Sequence, residues 1–82
     1  MLTRIREAGH VAVGLNQTTK AIEQSTAVEL FIAHDADTRL TSRVALLADK
    51  HHVPITWVET MRELGIACGI EVGAATAAIV VR

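Results

Sequence analysis

Apolar positions along the 82-residue chain follow two alternating rhythms, helical stripes and short, nearly unbroken apolar runs. Thr3 to Ala8 fits a first short helix stopped by Gly9, and Val11 to Val13 a brief strand. Asn16 to Gln24 gives the clearest helix. At 100° per residue, Thr18, Ala21, Ile22 and Ser25 share one face, while Asn16, Gln17, Thr19, Lys20, Glu23 and Gln24 form a wholly polar one. On that polar face Asn16 and Lys20 stack one turn apart. Val28 to Ala33 is an apolar run rich in strand formers. The loop His34-Asp35-Ala36-Asp37 leads into a helix with Leu40, Val44, Leu47 and Ala48 at i, i+4, i+7 and i+8. His51-His52 ends it and Pro54 blocks its return. Ile55 to Val58 is the next strand, and Thr60-Met61-Arg62-Glu63 fits a capping box. That helix ends near Cys68-Gly69, Ile70 to Gly73 is a loop, and Ala74 to Val81 returns as a last strand. Strands alternating with helices at this spacing predict an α/β layered sandwich, its mixed four-stranded sheet largely buried. No linker, repeat or low-complexity tract interrupts the pattern, so residues 1–82 are expected to form one domain.

Composition narrows the function classes. Half the residues are apolar, as a globular chain requires. Phe31 and Trp57 are the only aromatic rings, too few for a platform that stacks several bases of a single strand. Eight Lys and Arg against nine Asp and Glu leave a net charge of −1, so the chain is no non-specific nucleic-acid coat. Any RNA site must be local and selective for shape. Cys68 is the only cysteine, which excludes an internal disulfide and a cysteine zinc cluster. His51 and His52 are adjacent and point about 100° apart on a helix, and His10 and His34 are isolated, so no metal site is expected. Asp35 and Asp37 are expected to cap the following helix. Residues 1–6 lack the apolar stretch of a secretory signal, and Ala74 to Val81 is too short to span a membrane. The expected compartment is the cytoplasm, with no membrane partner.

Two segments could carry chemistry. In Gly14-Leu15-Asn16-Gln17-Thr18-Thr19-Lys20 a glycine turn opens a helix whose first N–H groups point outward with partial positive charge. Asn16 can pair with base edges and Lys20 can meet phosphate. The plainer alternative makes Asn16 an N-cap and Lys20 a solvated surface residue. The second segment, Leu64 to Gly73, is rich in glycine but has neither the Walker pattern nor the dinucleotide fingerprint, so a helix end followed by a turn accounts for it. Cys68, alone in an apolar stretch, reads as an inert core residue.

Gly14-x-Asn16-Gln17-x-x-Lys20 resembles the Gly-x-Asn-Glu-x-x-Lys signature of the kink-turn-binding ribosomal protein family of L7Ae and L30e. Ala33-His34-Asp35-Ala36-Asp37, Val53-Pro54 and Leu64-Gly65-x-Ala67-Cys68-Gly69-Ile70-Glu71-Val72 follow in the family's order, so the resemblance covers almost the whole chain and is nearest to the short bacterial members. It implies an α/β/α sandwich that binds a duplex sharply bent at a three-nucleotide bulge beside sheared G·A pairs. By that resemblance the turn at Gly14 sets the helix start, and Asn16, Gln17 and Lys20 face guanine edges and phosphate. Asp37 touches an extruded base, and Ile70, Glu71 and Val72 cover the bulge. Gln17 replaces the family's Glu and keeps an acceptor without the charge. Thr38 replaces its Pro, and Met61 and Ile66 stand where many members carry Lys and Arg. The expectation is a monomeric RNA-binding protein without cofactor or catalysis, the ribosome being one candidate partner. Two other classes fit the same pattern: a protein–protein adaptor on this fold, or a small nucleotide-binding domain.

Overall fold

The computed structural model describes residues 3–81. Met1, Leu2 and Arg82, and with them part of the stretch read for a leader and both ends of the 1–82 domain, lie outside the described residues. The elements are α1 (Thr3–Glu7), β1 (Val11–Val13), α2 (Leu15–Glu23), β2 (Ala27–Ala33), α3 (Thr38–Lys50), β3 (Ile55–Val58), α4 (Met61–Ala67) and β4 (Thr76–Val80). The sheet order is β1-β4-β2-β3. β4 runs antiparallel to both β1 and β2, while β2 and β3 pair in parallel. The sheet is therefore mixed, and β1, β2 and β3 all end where β4 begins.

Strand periodicity sorts side chains into two cores, one on each face of the sheet. Phe31, Ala33, Val58 and Ala77 pack with Ile5 of α1 and Leu64 and Ala67 of α4. Leu30, Ile32 and Ala78 pack with Ile22 of α2 and Val44 and Ala48 of α3. This is the expected α/β/α sandwich, and its central strands are apolar on both sides because both sides are covered. Glu29 is the one buried carboxylate of β2; it accepts from Arg4 of α1 and Thr56 of β3, each at 2.7 Å. The first helix is thereby tied to the sheet.

Several local expectations shift. Thr18, Ala21 and Ile22 are buried as the helical face predicts, but Ser25 is exposed: α2 has already ended, and Ser25 has left-handed backbone at φ 60°. A register shift between Ala27 and Glu29 turns Val28 outward to 45 % exposure, as a bulge does when it leaves one residue unpaired. On α3 the buried positions are Thr41, Val44 and Ala48; Leu40 is 53 % exposed. Both residues lie within one turn of the helix start, and the buried place goes to Thr41 rather than to its apolar neighbour. β4 begins at Thr76 rather than Ala74.

Candidate nucleic-acid interface

Gly14 precedes α2 with φ 92°, a left-handed geometry that disfavours any side chain, and no side chain caps the helix. The capping alternative for Asn16 therefore fails: Asn16 is the second helical residue and is exposed. No acidic residue occupies the first turn of α2, so its free N–H groups and positive dipole end face outward unopposed by a local carboxylate. Gln17 and Lys20 are exposed on the same helix.

Beneath them Thr18 fixes the helix to the sheet. Its hydroxyl lies 2.8 Å from the Gly14 carbonyl and 3.0 Å from Thr76 Oγ1. Having one hydrogen, it donates to the carbonyl and accepts from Thr76, and both threonines are fully buried. The Gly14 N–H donates to the Thr76 carbonyl at 2.9 Å. The start of α2 is thus pinned to the first residue of β4, directly after the segment that carries the 70–73 loop.

The other loops at this end of the sheet are tied together in turn. The Ala33 N–H donates to the Ala75 carbonyl at 2.9 Å, and the Ala74 N–H to the Met61 carbonyl at 3.0 Å. Asp35 accepts from the Met61 N–H at 2.8 Å, so it caps α4 and not the helix that follows it in sequence. Thr60 accepts from the Glu63 N–H at 3.0 Å, which is half of the expected capping box; Asp35 supplies the second cap. Gly65 lets the loop come close: a Cβ there would overlap the Val72 carbonyl oxygen. Ile70 is half-buried, while Glu71 and Val72 are exposed, Val72 to 71 %.

Asp37 caps α3 by accepting from the Arg39 N–H at 2.9 Å, and it forms an exposed ion pair with the Arg39 guanidinium at 2.8 Å. That side-chain bond holds the Asp37 carboxyl below its ordinary range and raises Arg39. Any partner of the Asp37 carboxylate thus competes with Arg39. In contrast, burial pushes the Cys68 thiol up, away from the thiolate that nucleophilic chemistry needs.

All the predicted site residues, from Gly14, Asn16, Gln17 and Lys20 through Asp37 to Ile70, Glu71 and Val72, belong to α2 or to the loops at this end of the sheet. Asn16 and Gln17 nonetheless point apart. Asn16 lines the groove between α2 and α3, and Gln17 lines the one between α2 and β1; Lys20 borders both. Two features escaped the sequence reading. Arg39 and Arg43 of α3 line the α2–α3 groove beside Asn16 and Lys20, although arginines on a helix read as an ordinary solvated face. His34 and Trp57 stack with centroids 4.9 Å apart and planes at 22°, and Trp57 is 49 % exposed. A lone tryptophan in a short strand was the available signal. Among the described residues no group of three or more His, Cys, Asp and Glu could hold a metal ion, and no helix is long and apolar enough to cross a membrane.

Known proteins give this geometry a context. The family model described as ribosomal protein L7Ae/L30e/S12e/Gadd45 matches residues 1–82. The chain is 40 % identical over 76 residues to RNA-binding protein YbxF of Geobacillus stearothermophilus, covering 93 % of each chain. It is 42 % identical over 76 residues to an RNA-binding protein of Halalkalibacterium halodurans, again with 93 % of each covered. Large ribosomal subunit protein eL8 of Haloquadratum walsbyi is 42 % identical over 76 residues, covering 92 % of this chain and 63 % of that one. Among solved structures, the 15.5 kD RNA binding protein of Giardia lamblia superposes with a TM-score of 0.88 at 24 % identity, over 99 % of this chain and 71 % of that one. That likeness is one of fold.

Proposed function

We propose, from the premise that this chain belongs to the ribosomal protein L7Ae/L30e/S12e/Gadd45 family, that it is an RNA-binding protein which recognises kink-turn motifs and holds them bent. The family and these relatives are named for RNA binding and for the ribosome, and the protein is not an enzyme. One observation carries the finer reading. The uncapped start of α2, with Asn16, Gln17 and Lys20 exposed, is pinned through Gly14 and Thr18 to Thr76, at the end of the segment bearing the 70–73 loop.

An A-form duplex hides its base edges in a deep, narrow major groove. A kink opens that groove at the G·A pairs and splays the bulged nucleotides away from it. Reading both features takes a helix end and an adjacent loop held at fixed separation, which the hydrogen bonds to Thr76 supply. Asn16 offers a paired donor and acceptor to a guanine edge, and the α2 dipole with Lys20 attracts phosphate. Ile70, Glu71 and Val72 cover the bulge, with the exposed apolar face of Val72 available to an unstacked base. Asp37 meets an extruded base by giving up part of its pairing with Arg39. The protein acts as a cytoplasmic monomer, and ribosomal RNA is one class of target.

Competition between a bulged duplex with tandem G·A pairs and the same duplex with Watson–Crick pairs in their place tests the reading. The G·A duplex is expected to win clearly. Equal affinity for the two duplexes would overturn kink-turn recognition.

A further inference from the structure

The groove between α2 and α3 extends from the proposed site and differs from it in chemistry. Leu15, Leu40, Val44 and Leu47 line its apolar part, and Lys20, Arg39 and Arg43 are its basic residues. The chain has eight Lys and Arg in all, so three of them gather on one groove of a protein whose net charge is −1. Opposing them are Glu23, which also lines the groove, and Asp37, which pairs with Arg39. Leu40 is half-exposed where the helical pattern predicts burial.

We propose that this groove is a second RNA contact, which carries the sugar–phosphate backbone of the duplex stem flanking the kink, with Arg39 and Arg43 as phosphate ligands. The inference rests on the kink-turn reading and lengthens its footprint. Continuity supports it: Asn16 and Lys20 line this same groove, so a stem seated on the start of α2 meets the groove next. Charge supports it as well, since a locally basic track is how a weakly acidic protein can hold a polyanion. Arginine suits the task because its planar fork can take two phosphate oxygens at once. Arg39 can exchange Asp37 for phosphate: its side chain is 88 % exposed, and an ion pair that open to solvent contributes little. The leucines accommodate the ribose faces between phosphates.

The test uses two bulged G·A duplexes, one with the flanking stem cut back to the G·A pairs and one with that stem extended by a full helical turn. Each is titrated with the wild-type protein, with Arg43→Gln and with the Arg39→Gln/Arg43→Gln double variant at several salt concentrations. On the extended duplex each lost phosphate contact should lower the salt slope by about 0.7–0.9, and Arg43→Lys should restore most of it. On the truncated duplex Arg43→Gln should match wild type. Arg43 is exposed, so Arg43→Gln alone leaves the fold intact, whether or not loss of Asp37's partner loosens α3 in the double variant. Unchanged slopes for Arg43→Gln and the double variant on the extended duplex would overturn the inference while leaving kink-turn recognition standing. Failure of the wild type to prefer even the truncated G·A duplex would remove both.

Discussion

Asn16 and Thr18 stand two positions apart on α2, one exposed and the other fully buried. Their separation in role follows from the 100° step of the helix and gives two predictions. Because Asn16 caps nothing, Asn16→Ala should change stability by no more than about 0.5 kcal/mol, as surface substitutions do. The same change should cost roughly 1–3 kcal/mol of discrimination between a G·A duplex and its Watson–Crick counterpart. Lys20→Ala should instead weaken both duplexes alike and lower the salt slope by about one. Titrations at several salt concentrations, run beside thermal melts, read both effects. An Asn16→Ala protein that melts early yet keeps its G·A preference would contradict the assignment. Thr18→Val, nearly equal in shape, strips the buried Thr76 hydroxyl of its partner. An unsatisfied buried hydroxyl costs about 1–3 kcal/mol, so denaturant unfolding should show a loss in that range. A Thr18→Val protein as stable as wild type would mean that this bond does not hold α2 in place.

Among the elements, α4 and the loop after it depend on a glycine inside a helix. Gly65→Ala raises helix propensity by about 1 kcal/mol, yet the added Cβ overlaps the Val72 carbonyl. Overpacking of this kind typically costs about 1–3 kcal/mol, and here the loop must move to relieve it. Gly65→Ala is therefore expected to lower stability and to weaken binding of bulged RNA together, measured by melting and titration. A stabilised protein with unchanged RNA affinity would show that the packed loop position is not needed. Elements of this kind were legible in the sequence because each had its own local signal. The helical stripe of Thr18, Ala21 and Ile22 gave α2, the cap at Thr60 gave α4, and Ile55 to Val58 gave β3 to the residue. What local pattern could not give was choice among neighbours. Leu40 and Thr41 are neighbours at the start of α3, and only packing buries Thr41 and leaves Leu40 exposed. Asp35 bonds across 26 residues to Met61, a partner that no local rule for capping the following helix reaches. The proposed site was offered only by the resemblance of Gly14, Asn16, Gln17 and Lys20 to a family signature, whereas the place of Arg43 beside Asn16 became visible only once α3 lay against α2.

At the scale of the whole molecule, a chain of net charge −1 with, among the described residues, a single half-exposed aromatic stack is poorly made for coating nucleic acid. On the proposed reading, rigidity supplies the selectivity. Two cores clamp the sheet from both faces, and hydrogen bonds through Gly14, Thr76, Ala75 and Met61 hold the α2 start and the loops in one frame. On the kink-turn reading proposed above, such a frame should bind an RNA that is already bent better than a straight one, and that difference in affinity would shift the RNA toward the bent form. The most direct measurement is resonance energy transfer between dyes on the two stem ends of a bulged G·A duplex, titrated with protein in the absence of divalent ions. Transfer should rise to a plateau at saturating protein with wild type and rise less at the same concentration with Asn16→Ala. Binding that saturates with no change in end-to-end distance would contradict the claim that the protein holds a kinked RNA.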